Sequence, residues 1–146
     1  MCSFELRVTI HASYPTLTFK IIMTEILFDR LGGTSGITTL VDDVVEAHMN
    51  NPAISARFLP YKEQPGKLAV IKQHTIDFFS AGSGGPVTYA GRDMPNTHKG
   101  MNISPTEYMH VVDDILTVLD KHKTDDDSKK DVLAILWSLK DMIIYK

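Results

Sequence analysis

The residues best able to do chemistry in this 146-residue chain are its six histidines. Imidazole binds transition metals through one ring nitrogen and exchanges protons near neutral pH. His98 stands close to the end of a short predicted helix, immediately before Lys99 and Gly100. Two roles fit this position: an axial ligand to haem iron, or a cation that complements the C-terminal end of the helix dipole. The local sequence leaves both open.

A second histidine, His74, lies between Ile71 and Phe78 on the apolar stripe of another predicted helix. It fits a group that faces a ligand on the far side of an iron ion, or a core histidine whose hydrogen bonds are satisfied. Of the others, His110 and His122 are interpreted as solvated, and His48, at the inner or boundary edge of the second helix, as structural; His11 lies in the segment 1–22.

Other reactive patterns are missing from the sequence. It contains no HExxH motif, no Cys/His zinc spacing and no phosphate-binding loop of the Walker type. Ser83 lacks the G-x-S-x-G context of a hydrolase nucleophile. The acid pairs 42–43 and 113–114 are adjacent on helices, so their side chains diverge by about 100° and are expected to be solvated.

Composition indicates one ordinary globular domain, with 43% hydrophobic and 23% charged residues. The net charge of -3 gives no electrostatic basis for binding nucleic acid or an anionic membrane. The single cysteine, Cys2, excludes an intramolecular disulfide and predicts a reducing, cytoplasmic location. No apolar run approaches the roughly 20 residues of a membrane span.

A helical period dominates from Thr24 onward. The pattern predicts an all-α chain with short helices at 26–31 and 93–99, and a turn or helix at 52–58. It also predicts longer helices around 37–49, at 68–81, after the Ser104 cap and after the acidic loop 123–127. The stretch 59–67 is expected to be a loop. Residues 1–22 show only a weak strand-like alternation, and we interpret them as an extension of doubtful structure before a domain at 23–146.

The short helix at 93–99 does not suit a simple four-helix bundle. Glycine-rich loops flank it, and isolated helices below about 12 residues are marginal. Something else must hold it in place, and a bound prosthetic group is one candidate.

Three motifs in order resemble the group I truncated haemoglobins. Leu27–Gly33 (LFDRLGG) resembles the start of that family, and Phe78–Pro86 (FFSAGSGGP) resembles the end of its distal helix. Thr88–Ser104 (TYAGRDMPNTHKGMNIS) resembles its proximal region, where a histidine is followed by x-Gly. The resemblance does not reach residues 1–22.

The resemblance implies a globin-like, shortened 2-over-2 helical sandwich around haem b. It makes His98 the proximal iron ligand and places Phe58 against the porphyrin. Arg92 and Lys72 become candidate propionate partners. It assigns the haem-lining positions to Ile71, Met94, Ile103, Tyr108, Val111 and Leu136.

The chain departs from the family on its second helix. The family usually has a tyrosine there that points at the ligand, but this chain has Val45, and its neighbour is Val44 in place of a frequent phenylalanine. The loop before Ile71 is also longer than in common members. Because neither Val45 nor Ile71 can donate a hydrogen bond, His74 becomes the expected distal residue, either as donor to the ligand or as an iron ligand itself. Thr75 is the other candidate donor.

The implied function is reversible binding of oxygen, nitric oxide or carbon monoxide, with oxygen transport as one use. The alternative is an enzyme, a nitric oxide dioxygenase or electron-transfer protein, which would need an external reductase because the chain has no flavin or nicotinamide motif. A haem-free helical sensor is the third possibility, against which the motif around His98 argues.

Overall fold

The computed structural model describes residues 24–146, so the predicted extension at 1–22, with His11, lies outside the described residues. Within 24–146 there is no strand, only an isolated bridge between Ile103 and Ile144, and the all-α prediction is confirmed. The helices are α1 (Leu27–Arg30), α2 (Gly33–Asn50), α3 (Ser55–Phe58), α4 (Pro65–Gly82), α5 (Met94–His98), α6 (Pro105–Lys121) and α7 (Asp126–Ile143), with a 3₁₀ turn at Leu59–Tyr61.

Glycine makes the sharp turn between α1 and α2 possible. Gly32 has φ 86° and Gly33 has φ 63°, a left-handed conformation that costs other residues free energy. One turn later, a Cβ on Gly36 would overlap the carbonyl oxygen of Leu31. The LGG motif is therefore a backbone requirement of this corner.

The start of α6 is fixed by the capping box that the sequence predicts. The Ser104 hydroxyl accepts a hydrogen bond from the Glu107 amide at 3.2 Å, and the Glu107 carboxylate accepts one from the Ser104 amide at 2.8 Å. Pro105 occupies the first turn, where its missing N–H costs nothing. The side chains of Asp93 and Asp125 cap α5 and α7 by accepting from the amides of Asn96 and Ser128, without the reciprocal bond.

The prediction of a loop at 59–67 is wrong for residues 65–67, because α4 begins at Pro65 rather than at Leu68. Proline is well suited to the first turn of a helix. The 3₁₀ turn then takes up the preceding residues, so the connection from α3 to α4 is shorter than the polar sequence indicates.

Two helix pairs form the framework. α2 packs on α4, α6 packs on α7, and contacts between α2 and α6 join the pairs. The short α5 packs on α7. The larger core cluster lies between these elements and consists of Leu27, Leu40, Val44, Ile103, Tyr108, Val112, Ile115, Val118, Leu119, Val132, Leu136 and Ile143.

None of the helices within residues 24–146 combines the length and the apolar character that a bilayer crossing requires.

We expect Gly36→Ala to destabilise the protein by about 1–3 kcal/mol, the usual range for an overpacked site, because the added methyl group meets backbone. The matched control is Gly66→Ala in the first turn of α4, where a Cβ has no neighbour within 4 Å. Alanine should stabilise that helix by about 0.5–1 kcal/mol. Urea unfolding of both variants measures the contrast, and equal unfolding midpoints would contradict it.

Candidate functional site

The imidazole of His98 is oriented by its own helix. Its Nδ1 donates a hydrogen bond to the carbonyl oxygen of Met94 at 2.9 Å. The proton therefore sits on Nδ1, and the lone pair of Nε2 is available to a metal. The Asp93 side chain caps the same helix through the Asn96 amide at 2.8 Å. The arrangement gives a half-buried imidazole with one committed and one available nitrogen.

The helix α4 carries apolar residues on two different faces. Ile76 and Ser80 are buried on the face that packs against α2. The second face, about 150° away at 100° per residue, carries Ile71, Thr75 and Phe78, which are only half-buried. α4 packs extensively on α2 but not on α5, α6 or α7. The ring of Phe78 packs edge-on against that of Tyr89 at 5.3 Å between centroids, and the rest of this second face has few contacts with α5, α6 or α7.

The two candidate donors on that face differ in how their polar atoms are used. The Thr75 hydroxyl donates its only proton to the carbonyl oxygen of Ile71 at 2.9 Å. His74 lies about 40° around the helix from Phe78 and is exposed, and its ring makes no hydrogen bond within residues 24–146. Of the two, His74 is the donor that a ligand can use without breaking an existing bond.

The predicted lining residues of the other helix pair fall into two groups. Met94 and Val111 are half-buried and pack at the edge of the larger core cluster. Ile103, Tyr108 and Leu136 belong to that cluster, with exposed fractions of 8%, 4% and 6%. The Tyr108 hydroxyl donates to the Leu136 carbonyl at 2.6 Å, and burial raises its pKa. These three side chains belong to the core cluster against which Met94 of α5 packs.

The two candidate propionate partners stand in different surroundings. Lys72 Nζ is 2.8 Å from Asp42 Oδ1 on α2, so it is already paired. Arg92 is exposed in the loop before α5, and its carbonyl accepts a hydrogen bond from the Tyr89 hydroxyl at 2.9 Å. Among the described residues its guanidinium has no carboxylate partner, which leaves it the freer of the two cations.

A buried polar network behind Phe58 is absent from the sequence-based expectations. His48 is only 5% exposed, and its Nδ1 donates to Asp114 at 2.8 Å. Asn51 donates to the other oxygen of the same carboxylate at 2.9 Å. The ring of His48 lies 4.8 Å from that of Phe58, centroid to centroid. Helical spacing indicates the burial of His48, because this residue lies one turn after Val44 on the buried stripe of α2.

The prediction that His122 and the adjacent acid pairs are solvated is wrong in part. His122 is half-buried, and its Nε2 lies 2.7 Å from Asp43 on α2. Lys121 approaches the same carboxylate at 3.2 Å. One member of each adjacent acid pair therefore binds a histidine, Asp114 that of His48 on α2 and Asp43 that of His122 just after α6. The other members are exposed, although Asp42 pairs with Lys72.

Two surface cavities lie away from His98. One, of about 370 Å³, opens between α2 and α4, and Val45, Leu68 and Lys72 are among its lining residues. The other, of about 330 Å³, lies beside the turn from α1 to α2. Val45 provides no hydrogen-bond donor, so the position where the resemblance expects a tyrosine is chemically inert.

Residues 26–145 match the family model described as "Bacterial-like globin". The fold is similar to that of the truncated haemoglobin of Tetrahymena pyriformis in its Fe(III) form. That match has a TM-score of 0.75 at 17% identity, and it covers 84% of this chain and 100% of that one.

Two further structures show the same architecture. The 2/2 haemoglobin of a Synechococcus species, solved in the cyanomet state with covalently attached haem, gives a TM-score of 0.70 at 19% identity over 80% of this chain and 94% of its own. The group II truncated haemoglobin of Bacillus anthracis gives 0.71 at 20% identity over 84% and 92%. The predicted 2-over-2 globin-like fold is thereby confirmed.

The buried His48 predicts a pH dependence of stability. Burial lowers the pKa of His48 below its ordinary value of 6.5, and the smaller effect of Asp114 opposes this. The unfolded chain therefore binds more protons near this pH, and stability falls as the pH drops through 6.5. We expect the urea midpoint to fall less from pH 7 to pH 5 in His48→Gln than in the wild type. Parallel pH profiles for the two proteins would contradict this.

Proposed function

Because the chain belongs to the bacterial-like globin family, we propose that it binds haem b through Nε2 of His98 and reversibly takes up oxygen, nitric oxide or carbon monoxide. The observation that carries this proposal is the hydrogen bond from His98 Nδ1 to the Met94 carbonyl, which leaves Nε2 with a free lone pair. Within a globin fold, a histidine in that state on α5 is chemically ready to ligate iron.

The residues present fit a porphyrin. A porphyrin is a large apolar disc, and it needs apolar walls as well as a base. The half-buried face of α4, with Ile71, Thr75 and Phe78, provides one wall, and Met94 and Val111 provide the edge of the other. Phe58, backed by His48, provides an aromatic ring beside these walls. Arg92 is the better propionate partner, since Lys72 is bound to Asp42.

When bound, haem supplies an iron atom with an open coordination position for diatomic gases. The contribution of the chain is to hold it, to shield it from water and to donate hydrogen bonds. We assign the last role to His74, since Val45 and Ile71 have no donor and Thr75 has committed its proton. A hydrogen bond to a ligand with partial charge contributes about 1.5–3 kcal/mol.

We further propose that the chain belongs to group I within its family. The support is the order of three motifs, Leu27–Gly33, Phe78–Pro86 and Thr88–Ser104. The first forms the glycine corner before α2, the second ends α4 and the third carries α5.

Replacing the proximal ligand tests the central proposal. We expect purified wild-type protein to take up haemin and show a Soret band, and His98→Ala to lose that band or show it shifted. Added imidazole should restore it by occupying the place of the lost side chain. His110→Ala, a histidine on α6, is the control and should behave as the wild type. Wild-type protein that refuses haemin, or a His98→Ala spectrum identical to the wild type, would overturn the proposal.

Replacing the distal histidine tests the role of His74. We expect His74→Leu to release oxygen about 10- to 100-fold faster, the factor that corresponds to one such hydrogen bond. If His74 also ligates the iron, the ferrous, gas-free wild type should show a low-spin, six-coordinate spectrum. His74→Leu should then show a five-coordinate spectrum under the same conditions. Gln73→Leu, the neighbour on the outer surface, is the matched control. Unchanged oxygen release together with unchanged spectra would remove His74 from the site.

A further inference from the structure

The side chain of Arg57 connects α3 to the segment that follows His98. Its Nε donates to Glu107 Oε1 at 2.6 Å and its Nη2 to Glu107 Oε2 at 3.1 Å. Its Nη1 donates to the carbonyl oxygen of Met101 at 2.9 Å. All three guanidinium nitrogens are therefore used, and the planar fork matches the carboxylate in the geometry that makes such pairs strong.

The carboxylate that receives Arg57 is itself fixed. Glu107 is the capping-box residue of α6, and its Oε2 also accepts a hydrogen bond from the Ser104 amide. The hydrogen bond from Arg57, and to a smaller extent the one from the Ser104 amide, lowers the pKa of Glu107 to about 2. The carboxylate therefore remains charged at any physiological pH. The exposed fractions of the two side chains are 29% and 25%, which partly shields the pair from solvent.

The segment between α5 and α6 has few internal supports. The Met101 amide donates to the His98 carbonyl at 3.0 Å, which ties the segment directly to the end of α5. On its far side, the Tyr145 amide donates to the Ile103 carbonyl at 3.0 Å. Arg57 is the side chain that donates to the Met101 carbonyl, and it lies on α3, between α2 and α4 along the chain.

Arg57 also immediately precedes Phe58, and α3 is only four residues long. A helix of this length has no stability of its own. It is held on one side by the stacking of His48 on Phe58 and on the other by the bonds of Arg57 to Glu107 and Met101.

We propose that Arg57 is a positioning residue that joins Phe58 to the segment that follows His98 and so fixes one edge of the proposed haem site. The inference rests on the proposed function, since it concerns how firmly a cofactor held by His98 is retained. A merely structural ion pair would affect unfolding of the whole chain but not the retention of the cofactor in particular.

The chain offers a control in Arg30. Its guanidinium donates to the Ser128 hydroxyl at 2.9 Å and to the Asp131 carboxylate, linking α1 to α7, and its Nε donates to the Glu25 carbonyl at 3.2 Å. Like Arg57 it therefore binds a carboxylate on a distant helix and a backbone carbonyl, but none of these partners lies in the segment that follows His98. Arg57→Met and Arg30→Met remove equivalent groups from the two places.

The experiment combines three measurements on wild type and both variants. Urea unfolding of the haem-free chains measures global stability, hydrogen exchange reports the amides of residues 99–104, and transfer of haemin to excess apomyoglobin measures retention. We expect Arg57→Met to lose haemin about tenfold faster than the wild type, which corresponds to about 1.4 kcal/mol, with faster exchange at 99–104. Arg30→Met should keep wild-type haemin loss. Arg57→Lys, which can reach one acceptor at a time, should be intermediate.

Equal haemin loss in Arg57→Met and Arg30→Met would overturn the inference while leaving the proposed function intact. A wild-type protein without a Soret band would overturn the proposed function, and this inference with it, so the two failures are distinguishable. If Arg57→Met does not fold, Glu107→Gln replaces it. Glutamine keeps the capping geometry but loses the charge, and it should also speed haemin loss; unchanged loss in that variant would overturn the inference.

Discussion

The hydrogen bond between His98 Nδ1 and the Met94 carbonyl is the interaction on which the proposed site depends. An imidazole can ligate a metal only through a nitrogen that carries no proton, and this bond decides which nitrogen that is. It joins residues one helical turn apart, so it needs α5 to be formed. Asp93 caps that helix and the larger core cluster supports it through Met94. The orientation of one ring therefore depends on the packing of a whole helix pair.

The helix α6 provides most of the charged links between the two pairs. Its Glu107 receives Arg57, its Asp114 receives His48 and Asn51, and the residue that follows it, His122, meets Asp43 of α2. These contacts lie along the length of α6, while its apolar side belongs to the larger core cluster. A single helix thus combines core packing with the polar contacts that fix α2 and α3 beside it.

Much of the fold follows from local sequence, and the site follows from it only in part. The cap at Ser104, the acids at the start of the last helix and the glycine corner at Gly32 are local signals, and the structure has each of them. The pattern predicts the start of α4 at Leu68, three residues late, because the apolar period begins there, whereas the helix begins at Pro65. The pairs of His48 with Asp114 and of His122 with Asp43 join residues 66 and 79 positions apart. No periodicity within a single helix can reveal such partners, because they depend on how the helices pack.

The second apolar face of α4 matters before the protein has met any cofactor. Ile71, Thr75 and Phe78 stand on a helix that α5, α6 and α7 leave largely alone. Tyr89 covers one edge of Phe78, but if the proposed haem completes the covering of this face, a newly synthesised copy without haem exposes apolar side chains to other chains and to chaperones. Under the proposed function, overproduction in cells short of haem should therefore favour inclusion bodies.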